Sequence, residues 1–356
     1  MKTTAGMKSV KISGRYISEG FPCFIIAEAG VNHNGEIRLA EKLIDAAVKA
    51  GADAVKFQTF KTDALVAQGA EKARYQQETT GKTENQYEML KKLEFKPADF
   101  KKLADYCRQK RIIFLSTPFD EKSVDLLQNL KVPAFKIPSG EITNLPLLTH
   151  IARKKKPVIL STGMSLSKEI KTAVALLQKE GSGNIVLLHC VSAYPARPED
   201  INLRYMATLK RTFKLPVGFS DHTLGIAVPT AAAALGACVI EKHFTLDKAM
   251  PGPDHRASLE PDELTAMVTA IRTIEKALGD GKRRLSTEEK NIKKAARKSL
   301  VAAVDIPAGT SIKKEMLAIK RPGSGIEPGM IDKVIGKKTK TVIKRDELLR
   351  MAKLSG

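Results

Sequence analysis

The chain of 356 residues contains no tryptophan, few aromatic side chains (5%) and only four cysteines. Cys23, Cys107, Cys190 and Cys238 are scattered, and no CxxC pair occurs among them. They read as buried free thiols in a reducing compartment. No apolar run reaches the roughly 18 residues that a membrane-spanning helix needs, which excludes a helical anchor. Met1 to Arg15 also lacks the apolar stretch of a signal peptide, so the expected address is cytoplasmic. No GxGxxG follows the first strand-like run, which weighs against a dinucleotide fold.

Acidic residues are scarce too. Asp and Glu number 39 against 60 Lys and Arg, giving a net charge of +21. Residues 282–356 alone hold 20 basic residues against 8 acidic ones. Such a balance suits a nucleic-acid binder in bulk. With no tryptophan, few aromatics and no recognised nucleic-acid motif, nucleic acid is not an expected partner. The lysines are mostly spaced along helices, as on a solvated basic surface. Attraction of an anionic substrate is the second reading of the charge, and binding of a polyanion the third.

What the chain does have is a regular alternation, with a hydrophobic fraction of 43% that is ample for a core. Apolar runs of buried-strand type occur at 23–30, 53–59, 112–118, 134–140, 157–163, 185–192, 216–222 and 238–245. A helical stretch separates each successive pair, for example 97–110, 166–180 and 225–236. The last, 261–278, places Leu264, Met267, Val268, Ile271 and Leu278 on one face. Continuous apolar strands alternating with amphipathic helices predict an α/β fold with a parallel sheet covered by helices. Eight such units favour a closed (β/α)8 TIM barrel, which takes about 250 residues. One connection, 60–95, is long and polar for a βα loop and is expected to act as a lid.

The pattern changes near Gly279. The expected organisation is a catalytic barrel over 1–281, a charged helical linker over 282–297 and a small β-rich domain over 298–356. The short runs 299–304, 318–321 and 340–343, with a Pro307-Ala-Gly309 turn, mark that last domain.

Barrel enzymes carry their sites at the C-terminal ends of the strands. Here those ends hold Glu28, then Lys56 and Gln58, Ser116 and Thr117, and Lys136, Ser139 and Glu141. Ser161 and Thr162, His189, Ser192 and Tyr194, Ser220 and His222, and finally His243 complete the set. Any one Ser or Thr reads as ordinary rim polarity. Two lysines buried in apolar strands need anionic partners, and hydroxyls converging with Lys56 suit a phosphate. His222 and His243 end neighbouring runs one strand–helix–strand step apart. Adjacent strands lie about 4.8 Å apart, so both imidazoles can hold one divalent ion and leave positions for water and substrate. A lone strand histidine is more often structural. Glu241, two residues before His243, is a third candidate ligand.

The motifs Ile25-Ile-Ala-Glu-Ala-Gly-Val-Asn-His-Asn-Gly35, Lys56-Phe-Gln-Thr59, Ser116-Thr-Pro-Phe119 and Lys136-Ile-Pro-Ser-Gly-Glu141 point further. So do Leu160-Ser-Thr-Gly-Met164, Leu188-His-Cys190, Ser220-Asp-His222, Glu241-Lys-His-Phe244 and Pro251-Gly-Pro-Asp254. At these motifs the chain closely resembles the sialic acid synthase family. Its tail, with Arg297-Lys-Ser-Leu300, Ile306-Pro-Ala-Gly309 and Lys320-Arg-Pro-Gly323, resembles that family's antifreeze-like (SAF) domain.

The resemblance implies a transferase that condenses phosphoenolpyruvate with an N-acetylated hexosamine, giving a nonulosonic acid and phosphate. It implies that Lys56, Thr117, Ser139, Ser161, Ser192 and Ser220 bind phosphoenolpyruvate, although some members have Asn at Ser192. Gln58, Tyr194, Asp254 and Arg321 would face the sugar, with Arg321 supplied by the partner in a domain-swapped homodimer. His222 and His243 would hold manganese or magnesium. Glu28 is the leading candidate for orienting or deprotonating the attacking water, with Glu141 second. Asp254 also reads as a turn cap, and Arg321 as a surface charge. The expected acceptor is N-acetylmannosamine, giving N-acetylneuraminate. The alternatives are the 2,4-diacetamido-2,4,6-trideoxymannose of N,N'-diacetyllegionaminate and, behind it, a pseudaminate precursor. A related barrel aldolase and a basic polyanion-binding protein are the readings from other classes.

Overall fold

An apolar run whose two faces are both covered forms a buried parallel strand, and all eight runs do so. The computed structural model describes residues 8–355. A short hairpin of β1 (Val10–Ile12) and β2 (Arg15–Ile17) comes first. The parallel strands are β3 (Phe24–Gly30), β4 (Ala54–Thr59), β5 (Ile113–Pro118), β6 (Phe135–Ile137), β7 (Val158–Ser161), β8 (Ile185–Cys190), β9 (Val217–Asp221) and β10 (Val239–His243). Their order is β5-β4-β3-β10-β9-β8-β7-β6, and β5 packs against β6 to complete a (β/α)8 barrel.

The helices form the outer layer. Ile37–Ala50 turns Ala40, Leu43, Ile44, Ala47 and Ala50 inward and ends at Gly51, whose φ of 79° gives the left-handed stop. Pro261–Leu278 starts with proline in its first turn, and Glu263 there accepts from the Glu260 N–H at 2.8 Å.

The two-residue period of the strands sorts the barrel interior into storeys. Phe24 and Ile26, Ala54, Leu115, Ile159, Val186 and Leu188, and Val239 pack around Val10, Ile12 and Ile17 of the hairpin. The hairpin therefore plugs the N-terminal end. Asp53 fastens it there: its carboxylate accepts from the Ile25 N–H at 2.8 Å and from Arg272 at 3.0 Å, and pairs with Arg15 of β2. The next inward positions along the same strands are Glu28, Lys56, Lys136, Ser161, Ser220 and Glu241, all buried. One storey is apolar and the one above it is polar.

Some elements differ from their sequence expectation. The run 134–140 is a strand only over Phe135–Ile137, because Pro138 leads into a 3₁₀ turn at Ser139–Glu141. The connection 60–95 is not irregular. It contains helices Thr62–Leu65, Arg74–Thr80 and Gln86–Leu93. Glu94 closes its base, accepting from Lys61 Nζ at 2.7 Å and from the Thr62 N–H and hydroxyl at 2.9 Å.

The chain forms two units, Met1–Gly279 and Asp280–Gly356. The second opens with helix Thr287–Ala296, capped by Ser286 and without a buried residue. Two small antiparallel pairs follow: β11 (Ser299–Ala302) with β12 (Leu317–Lys320), and β13 (Lys338–Thr339) with β14 (Leu354–Ser355). Leu300, Ile306, Ile312, Ile343 and Leu349 form its core. The expected run 340–343 is no strand, and only Ile343 bridges, to Ile306. Among the described residues, no helix is long and apolar enough to cross a membrane.

Candidate active site

The polar storey holds a cluster of buried charges. Lys56 Nζ lies 2.6 Å from Glu28 Oε2 and 3.8 Å from Glu241 Oε2, and donates to Thr117 Oγ1 at 2.9 Å. Lys136 Nζ lies 3.6 Å from Glu241 Oε1 and donates to Ser161 Oγ at 2.8 Å. Ser220 Oγ donates to Glu241 Oε1 at 3.0 Å. Lys136 belongs to the cluster as fully as Lys56 does, and Glu241, a candidate metal ligand in the sequence, turns instead to the two lysines and Ser220.

Electrostatics follow from burial. Glu28 is pushed up to about 7 by its removal from water, against the pull of Lys56. Burial also works on Glu241, but the ammonium groups of Lys136 and Lys56 hold it below the usual carboxylate range. Burial lowers Lys136, only partly offset by Glu241. For Lys56 burial is more than offset by Glu241 and Glu28, and the group stays charged. Glu28 Oε2 and Glu241 Oε2 are buried without an aligned hydrogen bond, the former despite its ion-pair contact.

Glu28 is in strand register with Lys56 on one side and with His243 on the other. A Cβ placed on Gly30, whose φ is +52°, would meet Glu28 Oε1 at 3.3 Å, Gln58 Nε2 at 3.5 Å and His243 Cε1 at 3.5 Å. These three side chains converge on that point. A Cβ on Gly163 would likewise collide with the hydroxyls of Ser192 and Ser139 and crowd Cys190 Sγ at 3.2 Å. Glycine there keeps the hydroxyl cradle open, and its N–H donates to Ser139 Oγ at 2.9 Å.

The two histidines stand side by side, with ring centroids 5.5 Å apart. His222 Nδ1 donates to the Val191 carbonyl at 2.8 Å, which leaves Nε2 free. Burial lowers the basicity of His222, but Cys190 Sγ, 3.8 Å from Nδ1, and the Val191 carbonyl raise it by more. His243 is held well below its usual value by burial and by His222, so its ring is neutral, and its Nδ1 has no hydrogen-bond partner. Asp254 Oδ2 lies 3.9 Å from that nitrogen, and burial pushes this carboxyl up to about 6. Among the described residues no cluster of three or more His, Cys, Asp or Glu side chains is set to hold a metal. The pair still fits a divalent ion bound by two protein nitrogens, since one ring is neutral with a vacant nitrogen and the other is fixed with one exposed to the site.

The outward positions of the same two strands form a brace. Lys242 pairs directly with Asp221 across β10 and β9, with Nζ 2.6 Å from Asp221 Oδ2 and both side chains 0% exposed. Lys242 also contacts the Thr223 carbonyl, and Asp221 accepts from the Thr223 N–H at 2.9 Å. His222 is therefore held between two fixed neighbours.

Period two also sorts the remaining expected residues. Ser116 points outward and bonds Thr59 Oγ1 at 2.6 Å. His189 points into the helix layer, with Nε2 donating to the Ile201 carbonyl at 2.6 Å. Glu141 is half-buried, accepts from Asn144 Nδ2 at 2.7 Å and is not among the partners of the charged cluster. Arg321 lies in the second unit, exposed, just after β12. Tyr194 packs its ring 4.1 Å from His222 and 5.8 Å from His243. Tyr75 of helix Arg74–Thr80 stacks on Tyr194 with ring centroids 5.0 Å apart. Tyr75 went unnoticed in the sequence because no strand or motif carries it.

A cavity of about 790 Å³ opens elsewhere, lined by residues that include Lys101, Asp105, Arg108, Arg111 and Lys131. Two of its four cations are already paired with Asp105, and none of the groups described above reaches it.

The model of the NeuB family matches residues 43–283, and that of the SAF domain residues 297–355. An N,N'-diacetyllegionaminic acid synthase of Campylobacter jejuni is 53% identical over 92% of this chain and 98% of its own. Its namesake in Legionella pneumophila is 51% identical over 88% of this chain and 89% of its own. Among solved structures, an N-acetylneuraminic acid synthetase of Leptospira borgpetersenii superposes with a TM-score of 0.71 at 38% identity, covering 80% of this chain and 95% of that one.

Proposed function

The chain belongs to the NeuB family and carries a SAF domain, and from that premise we propose that it condenses phosphoenolpyruvate with an open-chain N-acetylated amino sugar to give a nonulosonic acid and phosphate. The observation that carries this reading is the buried Glu28–Lys56–Glu241–Lys136 cluster beside His222 and His243. It offers cations and hydroxyls for an anionic phosphate, a carboxyl near neutrality and two imidazoles, all at the mouth of one barrel.

In this reading Lys56 and Lys136 face the phosphate and carboxylate of phosphoenolpyruvate, and Thr117, Ser139, Ser161, Ser192 and Ser220 supply further hydrogen bonds. Gln58, Tyr194 and Asp254 face the acceptor. Carbon 3 of phosphoenolpyruvate bonds to the aldehyde carbon, and its carbon 2 takes up water. The tetrahedral adduct then loses phosphate by C–O cleavage and becomes the 2-keto acid. Glu28 stands between the two substrates and, poised near neutrality, orients that water and takes its proton. Glu141 is the weaker candidate, being occupied with Asn144. A manganese or magnesium ion held by His222 and His243 would supply Lewis acidity to the acceptor's carbonyl oxygen. The reading extends to a domain-swapped homodimer in which the partner subunit's Arg321 faces the acceptor.

The acceptor is where the comparisons move the expectation. The two synthases named for N,N'-diacetyllegionaminic acid are 53% and 51% identical to this chain, against 38% for the solved N-acetylneuraminic acid synthetase. The 2,4-diacetamido-2,4,6-trideoxymannose acceptor therefore takes precedence over N-acetylmannosamine. Phosphate release measured with a panel of acceptors, and the mass of each product, tests both levels. Release is expected only when phosphoenolpyruvate and an amino sugar are both present, fastest with the diacetamido sugar. No release with any acceptor would reject the condensation, and faster turnover of N-acetylmannosamine would reject the acceptor assignment.

A further inference from the structure

The helix Arg74–Thr80 is docked on the site. Tyr75 is half-buried, and its ring lies nearly parallel to Tyr194, 25° apart in plane at 5.0 Å. Tyr194 also packs against His222, with ring centroids 4.1 Å apart. Three rings thus follow one another from the histidine pair to helix Arg74–Thr80. The Thr79 hydroxyl also lies 3.3 Å from the Pro253 carbonyl, next to the buried Asp254, while its shortest acceptor is the Tyr75 carbonyl at 3.0 Å. The Tyr75 phenolic oxygen accepts from Gln76 Nε2 at 3.3 Å.

We propose that Tyr75 is a specificity-determining residue: its ring forms the wall that receives the end of the acceptor remote from the aldehyde, and selects a 6-deoxy, 4-acetamido sugar. This rests on the condensation reading above. With the aldehyde at His222 and His243, a carbon chain running outward along Tyr194 meets Tyr75 next. That wall is an aromatic face, and its polar atom lies at the ring's edge rather than over the face. A methyl group at carbon 6 leaves water at a gain there. A hydroxymethyl group over the ring face gives up hydrogen bonds to water that the face does not replace. The acetamido group at carbon 4 brings a flat, amphipathic plane that suits a stacked ring and leaves its N–H for a neighbour such as Asp254.

Steady-state kinetics of the full-length protein test this, with phosphoenolpyruvate saturating and with 2,4-diacetamido-2,4,6-trideoxymannose and N-acetylmannosamine as alternative acceptors. In Tyr75→Ala the ratio of kcat/KM between the two is expected to fall about tenfold, the scale of one apolar contact. The KM for phosphoenolpyruvate should stay within about twofold, and Tyr75→Phe should restore the wild-type ratio. Tyr75→Leu keeps bulk in the lid without the flat ring, and should also lose selectivity. An unchanged ratio in Tyr75→Leu or Tyr75→Ala overturns the proposal, whichever way the separate constants move. A wild-type protein that releases no phosphate with either sugar overturns the condensation reading itself, so the two failures are distinct.

Discussion

Replacing Glu28 by glutamine is expected to lower turnover by about 10²- to 10⁴-fold, the contribution of a positioned general base. The side chain is 1% exposed, and the substitution keeps its shape, so the fold should survive. Lys56 does not become an unpaired buried charge, because Glu241 remains 3.8 Å away. What disappears is the carboxyl that burial pushes up to about 7, close enough to neutrality to take a proton and return it. The amide cannot do either. Single-turnover phosphate release, alongside a thermal melt, separates lost chemistry from lost structure. The KM for phosphoenolpyruvate should change little, since Lys56, Lys136 and the hydroxyls remain. Wild-type turnover in Glu28→Gln would pass the proton-handling role to Glu141, and Glu141→Gln would then be the costly variant.

His222→Ala and His243→Ala are each expected to lower turnover by about 10³-fold or more, the value of several kcal/mol of Lewis-acid assistance at 1.36 kcal/mol per tenfold. Either change removes one of the two imidazoles whose ring centres lie 5.5 Å apart. Calorimetric titration with Mn²⁺ should show the ion binding to the wild type and weakened or lost in both variants. Dialysis of the wild type against a chelator should mimic them, and added Mn²⁺ should revive the wild type alone. Full activity in both alanine variants would remove the ion from the reaction.

The barrel was legible because its evidence is repeated eight times. Any one run of apolar residues is ambiguous, but eight at regular spacing are not. Boundaries were less legible, as at Pro138, where the strand yields to a 3₁₀ turn that carries Ser139 and Glu141 off the ladder. The strand ends named nearly all of the polar groups that the structure gathers, yet not their facing. Ser116 and Thr117 are neighbours in sequence, and only the register on β4 shows that Thr117 meets Lys56 while Ser116 turns away. Glu241 shares an inward face with His243, but how far its flexible side chain leans toward Lys56 and Lys136 depends on charges from other strands. Lys242 and Asp221 look like site residues in the motifs and prove to be a brace behind them. Tyr75 was invisible because a docked loop has no period, and its contact with Tyr194 is 119 residues away along the chain.

The hairpin at the base of the barrel has one more consequence. With Val10, Ile12 and Ile17 sealing the bottom, the interior is a blind well with one mouth. The lysine storey lies below the histidines, since Ser220 precedes His222 on β9 and Glu241 precedes His243 on β10. In such a well depth becomes sequence in time. The molecule held by the lysines must arrive first and the sugar second, and the joined product must leave before the next round begins. Dead-end inhibition by an unreactive acceptor analogue should then be uncompetitive toward phosphoenolpyruvate. A mixed (noncompetitive) pattern would mean that the two substrates do not queue.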